Sequence, residues 1–399
     1  MSSMPDAPKN LGIIGWDHYE FIVHDLERSQ RFYTRMMDMP QAGRQDDRVA
    51  AERGEKGLLF RAGKATFACF TPTERNGRAE RWLRRHPDGV AVMALRVRDL
   101  EQTRQLLAAR GATFCTGALE ATDHTGAPYR WFEIATSLGD VRFRFVERGA
   151  EALPPGFLPL AETPPEQNRY GFQVIDHVTS NFLTIAPHIA WLRDVMGMEE
   201  YWRVHFHTAD VTRRKDFGSG LASIVMWDPE SGIKLANNEP VTPNYEASQI
   251  YTFVESNHGA GVQHIAFHVP QIIPAVDGLR RGGIEFLQTP ATYYDMLPER
   301  LVQQRVGTLK EDIDTLRRLG ILVDGADDRY LLQIFMVEGG VLYDDLHAGP
   351  FFYEVIQRCG SRSFGEGNFR ALFEAIERDQ VSRGVVTSAP SQLDAGAGS

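Results

Sequence analysis

Three kinds of segment in the first 150 residues of this chain return, in the same order, after residue 170. Trp16-Asp17-His18-Tyr19 runs into an apolar stretch and the helical pattern LERSQRFYTRMMDM, and Ile175-Asp176-His177-Val178 runs into APHIAWLRDVMGM. GVAVMALRV (89–97) followed by DLEQTRQLLAARGATF is answered by GVQHIAFHV (261–269) followed by IIPAVDGLRRGGIEF. VRFRFVER (141–148) is answered by FFYEVIQR (351–358). Between the copies, Pro154, Pro155, Pro159, Pro164 and Pro165 crowd a stretch with little apolar periodicity, which reads as a linker. A chain that presents strand, helix and further strands twice over folds as two related α+β domains built from β-α-β units. Each copy is expected to curl its sheet into a half-barrel around a site.

The boundaries follow: an N-terminal domain over 1–150, a linker over 151–170, a C-terminal domain over 171–386, and a low-complexity tail, TSAPSQLDAGAGS, over 387–399 with the composition of a disordered segment. Composition narrows the partners. With 43 Lys+Arg against 53 Asp+Glu the formal net charge is -10, and no Lys/Arg cluster stands out, which argues against nucleic acid or an anionic membrane. No apolar run approaches transmembrane length, and the first residues carry no charged-then-apolar export pattern. Cys69, Cys115 and Cys359 are an odd number without a CxxC, so they read as reduced thiols of a cytoplasmic protein.

The repeat supplies an internal control for finding chemistry. Aligning the copies sets His18 against His177, Val92 against His264, and Arg144 against Glu354. The C-terminal copy therefore has His, His and Glu at three matched strand positions, and the N-terminal copy keeps only the first. All three lie in apolar strand contexts, VIDHVT, GVQHIAF and FFYEVIQ. A carboxylate buried in a strand is costly without a charge partner, and a divalent cation supplies one. Two imidazoles and a carboxylate form the facial ligand set of non-heme Fe(II), which leaves positions open for substrate and O2. Taken singly, a strand histidine is more often a satisfied core residue, and Glu354 could face solvent on an edge strand. His268 is a reserve ligand on the His264 face, and His205 and His207 read as exposed strand positions.

The segments SQIYTFVESNHGAGVQHIAFHV, ATYYDML, LGILVDG, LLQIF, FFYEVIQR and FGEGNFRALFEAIERDQVSRGVV closely resemble the 4-hydroxyphenylpyruvate dioxygenase family, through nearly all of 171–386 and in family order. The N-terminal copy is similar more loosely, in its repeat plan and in GVAVMALRV. The resemblance implies the vicinal-oxygen-chelate fold, duplicated β-α-β-β-β modules forming an open barrel in each half, with a C-terminal lid helix and an N-terminal half that lacks the metal. It implies one Fe(II) per chain on His177, His264 and Glu354. It implies conversion of 4-hydroxyphenylpyruvate and O2 to homogentisate and CO2 in tyrosine breakdown, by a homodimer or homotetramer.

The same resemblance places Ser223, Asn238, Gln249 and Gln333 around the substrate's phenol and ring. Neutral amides and a hydroxyl can hold a phenolic OH without charge. Gln333 sits in an apolar strand, where its amide could otherwise cap a neighbouring strand. Gln263 also matches a pocket residue, although adjacent strand residues point to opposite faces, so it can share a cup with His264 only across a bulge or twist. Phe335, Phe352, Phe364 and Phe369 would wall the ring by offset stacking. Phe369 also opens the helical stripe Phe369, Leu372, Phe373, Ile376 and could be its core anchor. One stretch departs from the family: Ala236-Asn237-Asn238-Glu239-Pro240 stands where Pro, an apolar residue, then Asn-Glu-Pro is common. Three other readings stand beside the dioxygenase: hydroxymandelate synthase, with the same triad and substrate; an extradiol ring-cleaving enzyme, against which LLQIF and FGEGNF argue; and a metal-free binding protein of the same fold, against which the intact triad argues.

Overall fold

The computed structural model describes residues 10–149, 152–160, 167–207, 220–242, 244–289, 291–365 and 368. Phe369 lies outside these residues, as does the rest of the expected lid helix beyond residue 368. The strands are β1 (Ile13–Ile22), β2 (Gln41–Gln45), β3 (Glu55–Ala62), β4 (Ala65–Pro72), β5 (Gly89–Val97), β6 (Leu119–Thr122), β7 (Pro128–Ala135), β8 (Arg142–Arg148) and β9 (Phe157–Pro159) in the first half. The second half has β10 (Val174–Asn181), β11 (Glu199–His207), β12 (Gly220–Trp227), β13 (Lys234–Val241), β14 (Gly261–His268), β15 (Leu322–Ala326), β16 (Arg329–Phe335) and β17 (Phe352–Cys359).

The first sheet runs β6-β7-β8-β5-β1-β4-β3-β2-β9 and the second β11-β12-β13-β10-β14-β17-β16-β15. Read from opposite ends the two orders coincide, with β1 matching β10, β5 matching β14 and β8 matching β17. Each half is thus two β-α-β-β-β modules whose first strands pair antiparallel at the centre of a curled half-barrel. Both halves belong to one α+β architecture, the duplicated vicinal oxygen chelate fold. The extra length of the second half is spent largely on the helices Ala291–Gln303 and Ile313–Leu319, placed between its last module helix, Ile272–Arg281, and β15. The strand β9 extends the first sheet from within the proline-rich stretch by pairing with β2.

The central strands read as nearly continuous apolar runs because both of their faces are covered. β5 and β14 are buried along almost their whole length. On β17 the alternation is plain: Phe352 and Glu354 face the concave cup, and Tyr353 faces the other half. Tyr353 packs among Tyr33, Phe67 and Phe267, with its hydroxyl 2.6 Å from that of Tyr33. The two sheets therefore meet through their convex faces, and each cup opens away from the junction. The turn at Gly63 (φ 55°) needs glycine twice over: the backbone is left-handed, and an added Cβ would lie 2.4 Å from the Gln173 carbonyl of the other half.

Candidate metal centre and substrate cup

His177, His264 and Glu354 stand on three adjacent strands, β10, β14 and β17. In register His177 is level with Ala266, and Ala266 with Glu354. The alanine methyl between them leaves the cup floor open. His264 lies two residues back along β14, level with Phe352. The Nε2 atoms of His177 and His264 are 3.2 and 3.3 Å from Glu354 Oε2, and the three potential ligand atoms lie within 4.8 Å of one another. The residues are 5%, 2% and 2% exposed. Among the described residues this is the one His/Cys/Asp/Glu group that could hold a metal ion.

Two β-bulges build the centre. The β10–β14 register slips between Ile175 and His177, which makes Asp176 a bulged residue, and again opposite Thr179–Ser180, which makes Gln263 one. A bulge lets neighbouring side chains point the same way. Asp176 Oδ1 accepts from His177 Nδ1 at 2.9 Å, and Gln263 Oε1 accepts from His264 Nδ1 at 3.1 Å. Each bulged residue thereby fixes the tautomer of the histidine beside it and leaves Nε2 for the centre. Arg358, also on β17, donates from Nε and Nη2 to Asp176 at 2.6 and 2.7 Å.

The electrostatics fit a cation. Burial opposes ionisation of Glu354, yet His177 and His264 hold its carboxyl below the usual carboxylate range. Burial likewise opposes ionisation of Asp176, and its hydrogen bonds from Arg358 and His177 overcome this and hold it well below that range. Burial lowers the His177 imidazole, but Glu354 and Asp176 raise it on balance. For His264 burial prevails over the Glu354 contact and the ring is shifted down. Glu354 Oε1 is buried with no hydrogen-bond partner. A buried carboxylate with one oxygen toward two tautomer-fixed imidazoles and the other without a donor is the donor set a divalent metal completes.

The wall beside the triad is polar and incompletely satisfied. Ser223 pairs across to Asn238, and Asn238 to Asn181, on adjacent strands β12, β13 and β10. Asn238 Nδ2 donates to Asn181 Oδ1 at 3.0 Å. Ser223 Oγ, Asn238 Oδ1, Asn181 Nδ2 and Gln249 Oε1 are all buried without partners. Gln249 opens the helix Gln249–Ser256, capped by Ser248. The departure at Asn237 leaves the strand intact: β12 and β13 pair without a register shift, and Asn237 Nδ2 bonds the carbonyls of Ile224 and Leu235.

Aromatic rings flank the histidines. Phe352 stacks on His264 with centroids 5.0 Å apart, Phe335 meets it edge-on at 6.0 Å, and Phe364 lies 5.0 Å from the His177 ring. Gln333 is buried on β16, its Oε1 close against Gly365. His268 is not in the cluster; its Nδ1 lies 3.2 Å from Gln173 Oε1. His205 is exposed. Asp176, Arg358 and Asn181 were not picked out from sequence. The repeated Asp-His pair, and Arg148 matching Arg358, were the available signal for the first two.

In the N-terminal cup an arginine stands at the position matched to Glu354. His18, Ala94 and Arg144 are level across β1, β5 and β8, as His177, Ala266 and Glu354 are in the other half, and the two bulges recur at Asp17 and Ala91. Asp17 accepts from His18 Nδ1 at 2.6 Å and from Arg148 Nε at 2.6 Å. Arg144 Nη1 lies 3.3 Å from His18 Nε2 and donates to Glu20, and its Nη2 donates to Glu133 at 2.6 Å. A guanidinium thus stands against the histidine nitrogen that its counterpart turns toward the triad centre.

Residues 17–129 match the Glyoxalase/Bleomycin resistance protein/Dioxygenase superfamily, and residues 174–297 match it again. A 4-hydroxyphenylpyruvate dioxygenase of Caenorhabditis elegans is 36% identical over 398 residues, covering 95% of each chain. One from Caenorhabditis briggsae is 37% identical over 308 residues, 75% of each chain. Among solved structures, a substituted 4-hydroxymandelate synthase from Streptomyces coelicolor superposes with a TM-score of 0.76 at 24% identity, covering 92% of this chain and 99% of its own, a likeness of fold.

Proposed function

The chain belongs to the 4-hydroxyphenylpyruvate dioxygenase family within the Glyoxalase/Bleomycin resistance protein/Dioxygenase superfamily, and from that premise we propose that His177, His264 and Glu354 hold one Fe(II) ion for the conversion of 4-hydroxyphenylpyruvate and O2 to homogentisate and CO2. The observation that carries the reading is Glu354: buried, held ionised, with one oxygen facing both Nε2 atoms and the other unpartnered. The metal, when bound, supplies a site for the 2-oxo acid end of the substrate and for activation of O2.

The protein's own groups orient the rest. Asp176 and Gln263 keep both histidines in the Nδ1–H tautomer, so neither ring can turn its protonated nitrogen inward. Ser223, Asn238 and Gln249 take the phenolic OH at the far end of the cup. Their unpartnered atoms already carry part of the cost of burial, and a phenol that both donates and accepts relieves it. Phe335 and Phe352 hold the ring by its faces and edges, with Gln333 beside them. Phe364 covers His177 and keeps water from the oxidising centre. Three unpaired cysteines suit a cytoplasmic setting, and no helix among the described residues is long and apolar enough to cross a membrane. The N-terminal domain, with its guanidinium-filled cup, serves as scaffold.

Glu354→Ala tests the assignment. Anaerobic Fe(II) titration should give one ion per chain for the parent and none for the variant at the same concentrations, with turnover lost and the circular dichroism spectrum retained. Stoichiometric iron or substantial turnover in the variant would remove Glu354 from the site.

A further inference from the structure

The Arg358 guanidinium, largely buried, bonds in two directions. Its Nε and Nη2 fork onto the two carboxylate oxygens of Asp176 at 2.6 and 2.7 Å. Its Nη1 donates to the carbonyls of Ser361 and Ser363 at 3.2 and 2.7 Å. The chain turns left-handed at Gly360 (φ 83°), and the residues that follow come back against Arg358. Tyr201, on β11, donates to the intervening carbonyl, that of Arg362, at 2.6 Å. Ser361 Oγ accepts from the Ser363 amide at 3.2 Å and closes the turn. Three successive carbonyls are therefore pinned, and the next residue is Phe364.

The Phe364 ring is buried 5.0 Å from that of His177, between centroids, with Trp202 stacked on it at 6.0 Å and Tyr201 edge-on at 5.8 Å. One guanidinium thus holds both neighbours of His177: the carboxylate on its Nδ1 and the segment that lays an aromatic ring over it. In the first half Arg148 likewise donates to Asp17, at 2.6 Å, and its Nη1 donates to the carbonyl of Gly149, the next residue. The Asp–Arg pair therefore belongs to the duplicated fold, with or without a triad. The arm onto Ser361 and Ser363 belongs to the half that has the triad. It needs arginine, because a lysine ammonium offers no planar fork to serve a carboxylate and two carbonyls at once.

We propose that Arg358 is a positioning residue that ties the orientation of His177 to the seating of Phe364, so that a metal ligand and its aromatic cover are set together. The proposal rests on the dioxygenase reading for its purpose, and the coupling can be measured without it. Amide hydrogen exchange in the metal-free full chain reads the segment 360–364. Asp176→Asn changes a side chain bonded to His177 and Arg358 and not to that segment. It should nevertheless speed exchange over 360–364 about 10-fold, with exchange in β5 of the first half unchanged, and Arg358→Lys should do the same. Unchanged exchange over 360–364 in Asp176→Asn overturns the proposal, and so does a rise equal to that in β5. Because coupling between two sites is reciprocal, loading the parent with Co(II) should slow exchange over 360–364 by a similar factor, and in Arg358→Lys the slowing should vanish. Equal slowing in the cobalt-loaded variant also overturns it. If the parent bound cobalt but formed no product, the dioxygenase reading would fail on its own, and the exchange rates would still decide whether Arg358 joins the two places.

Discussion

Arg144→Ala removes the cation that stands in the N-terminal cup. The side chain is 12% exposed and is shared by Glu20 and Glu133, beside His18. Six charges meet there, Glu20, Glu55 and Glu133 against Arg78, Arg142 and Arg144, and they balance. The substitution leaves one net negative charge among groups largely shielded from water. Removing one partner of a buried ion pair costs about 3–5 kcal/mol. Because Arg78 still serves Glu20 and Arg142 still serves Glu133, the loss should fall near the lower end, about 3 kcal/mol. Urea unfolding followed by tryptophan fluorescence reads it as a fall in midpoint at constant slope. Val92→His together with Arg144→Glu should go further, losing stability without metal and regaining about 2.7 kcal/mol when a divalent cation is present at a hundred times its Kd. Iron or cobalt stoichiometry should then rise from one to two per chain. A loss under about 1 kcal/mol for Arg144→Ala would place it with exposed ion pairs and refute the reasoning that this guanidinium neutralises the cup.

Three further outcomes follow from the same geometry. Asp176→Asn should weaken metal binding about 10–100-fold with the fold intact, as chelator competition would read, because His177 loses its tautomer lock; unchanged affinity would make the Asp176–Arg358 pair purely structural. Ser223→Ala should cost about 1–3 kcal/mol in kcat/KM for 4-hydroxyphenylpyruvate, and much less for phenylpyruvate, which lacks the phenol; equal losses would place Ser223 away from the hydroxyl. His188, buried against Ser137 at 2.7 Å, is pushed down from 6.5 to about 3 by burial, so the folded state keeps it neutral. Its contribution is complete above pH 6.5 and is lost as pH falls toward 3, about 4–5 kcal/mol in all, and His188→Gln should flatten that part of the stability profile; an unchanged acid limb would assign it to other groups.

The triad was legible because the chain contains its own control. His264 against Val92 and Glu354 against Arg144 are differences that one copy alone could not reveal, and the strand registers set the same pairs against each other. The half-barrel plan was legible for the same reason. What escaped was what depends on slips of register. Asp176 and Gln263 act on His177 and His264 only because each is a bulged residue, and a bulge leaves no mark in alternating hydrophobicity. Arg358 was visible as the partner of Arg148 in the repeat, but its contact with Asp176 joins β17 to β10 across β14, two strands away in the sheet. Asn181 ends β10 and meets Asn238 only through β10–β13 pairing. The guanidinium in the first cup was read from sequence as mere loss of a ligand, since one aligned letter does not say that Arg144 reaches back to His18.

The central claim is a reaction, and the direct measurement is of its product. Protein loaded anaerobically with one Fe(II) per chain, then given 4-hydroxyphenylpyruvate and O2, should release CO2 and form homogentisate in equal amounts. Formation of 4-hydroxymandelate would move the chemistry from ring to benzylic carbon, and no release of CO2 would contradict the account.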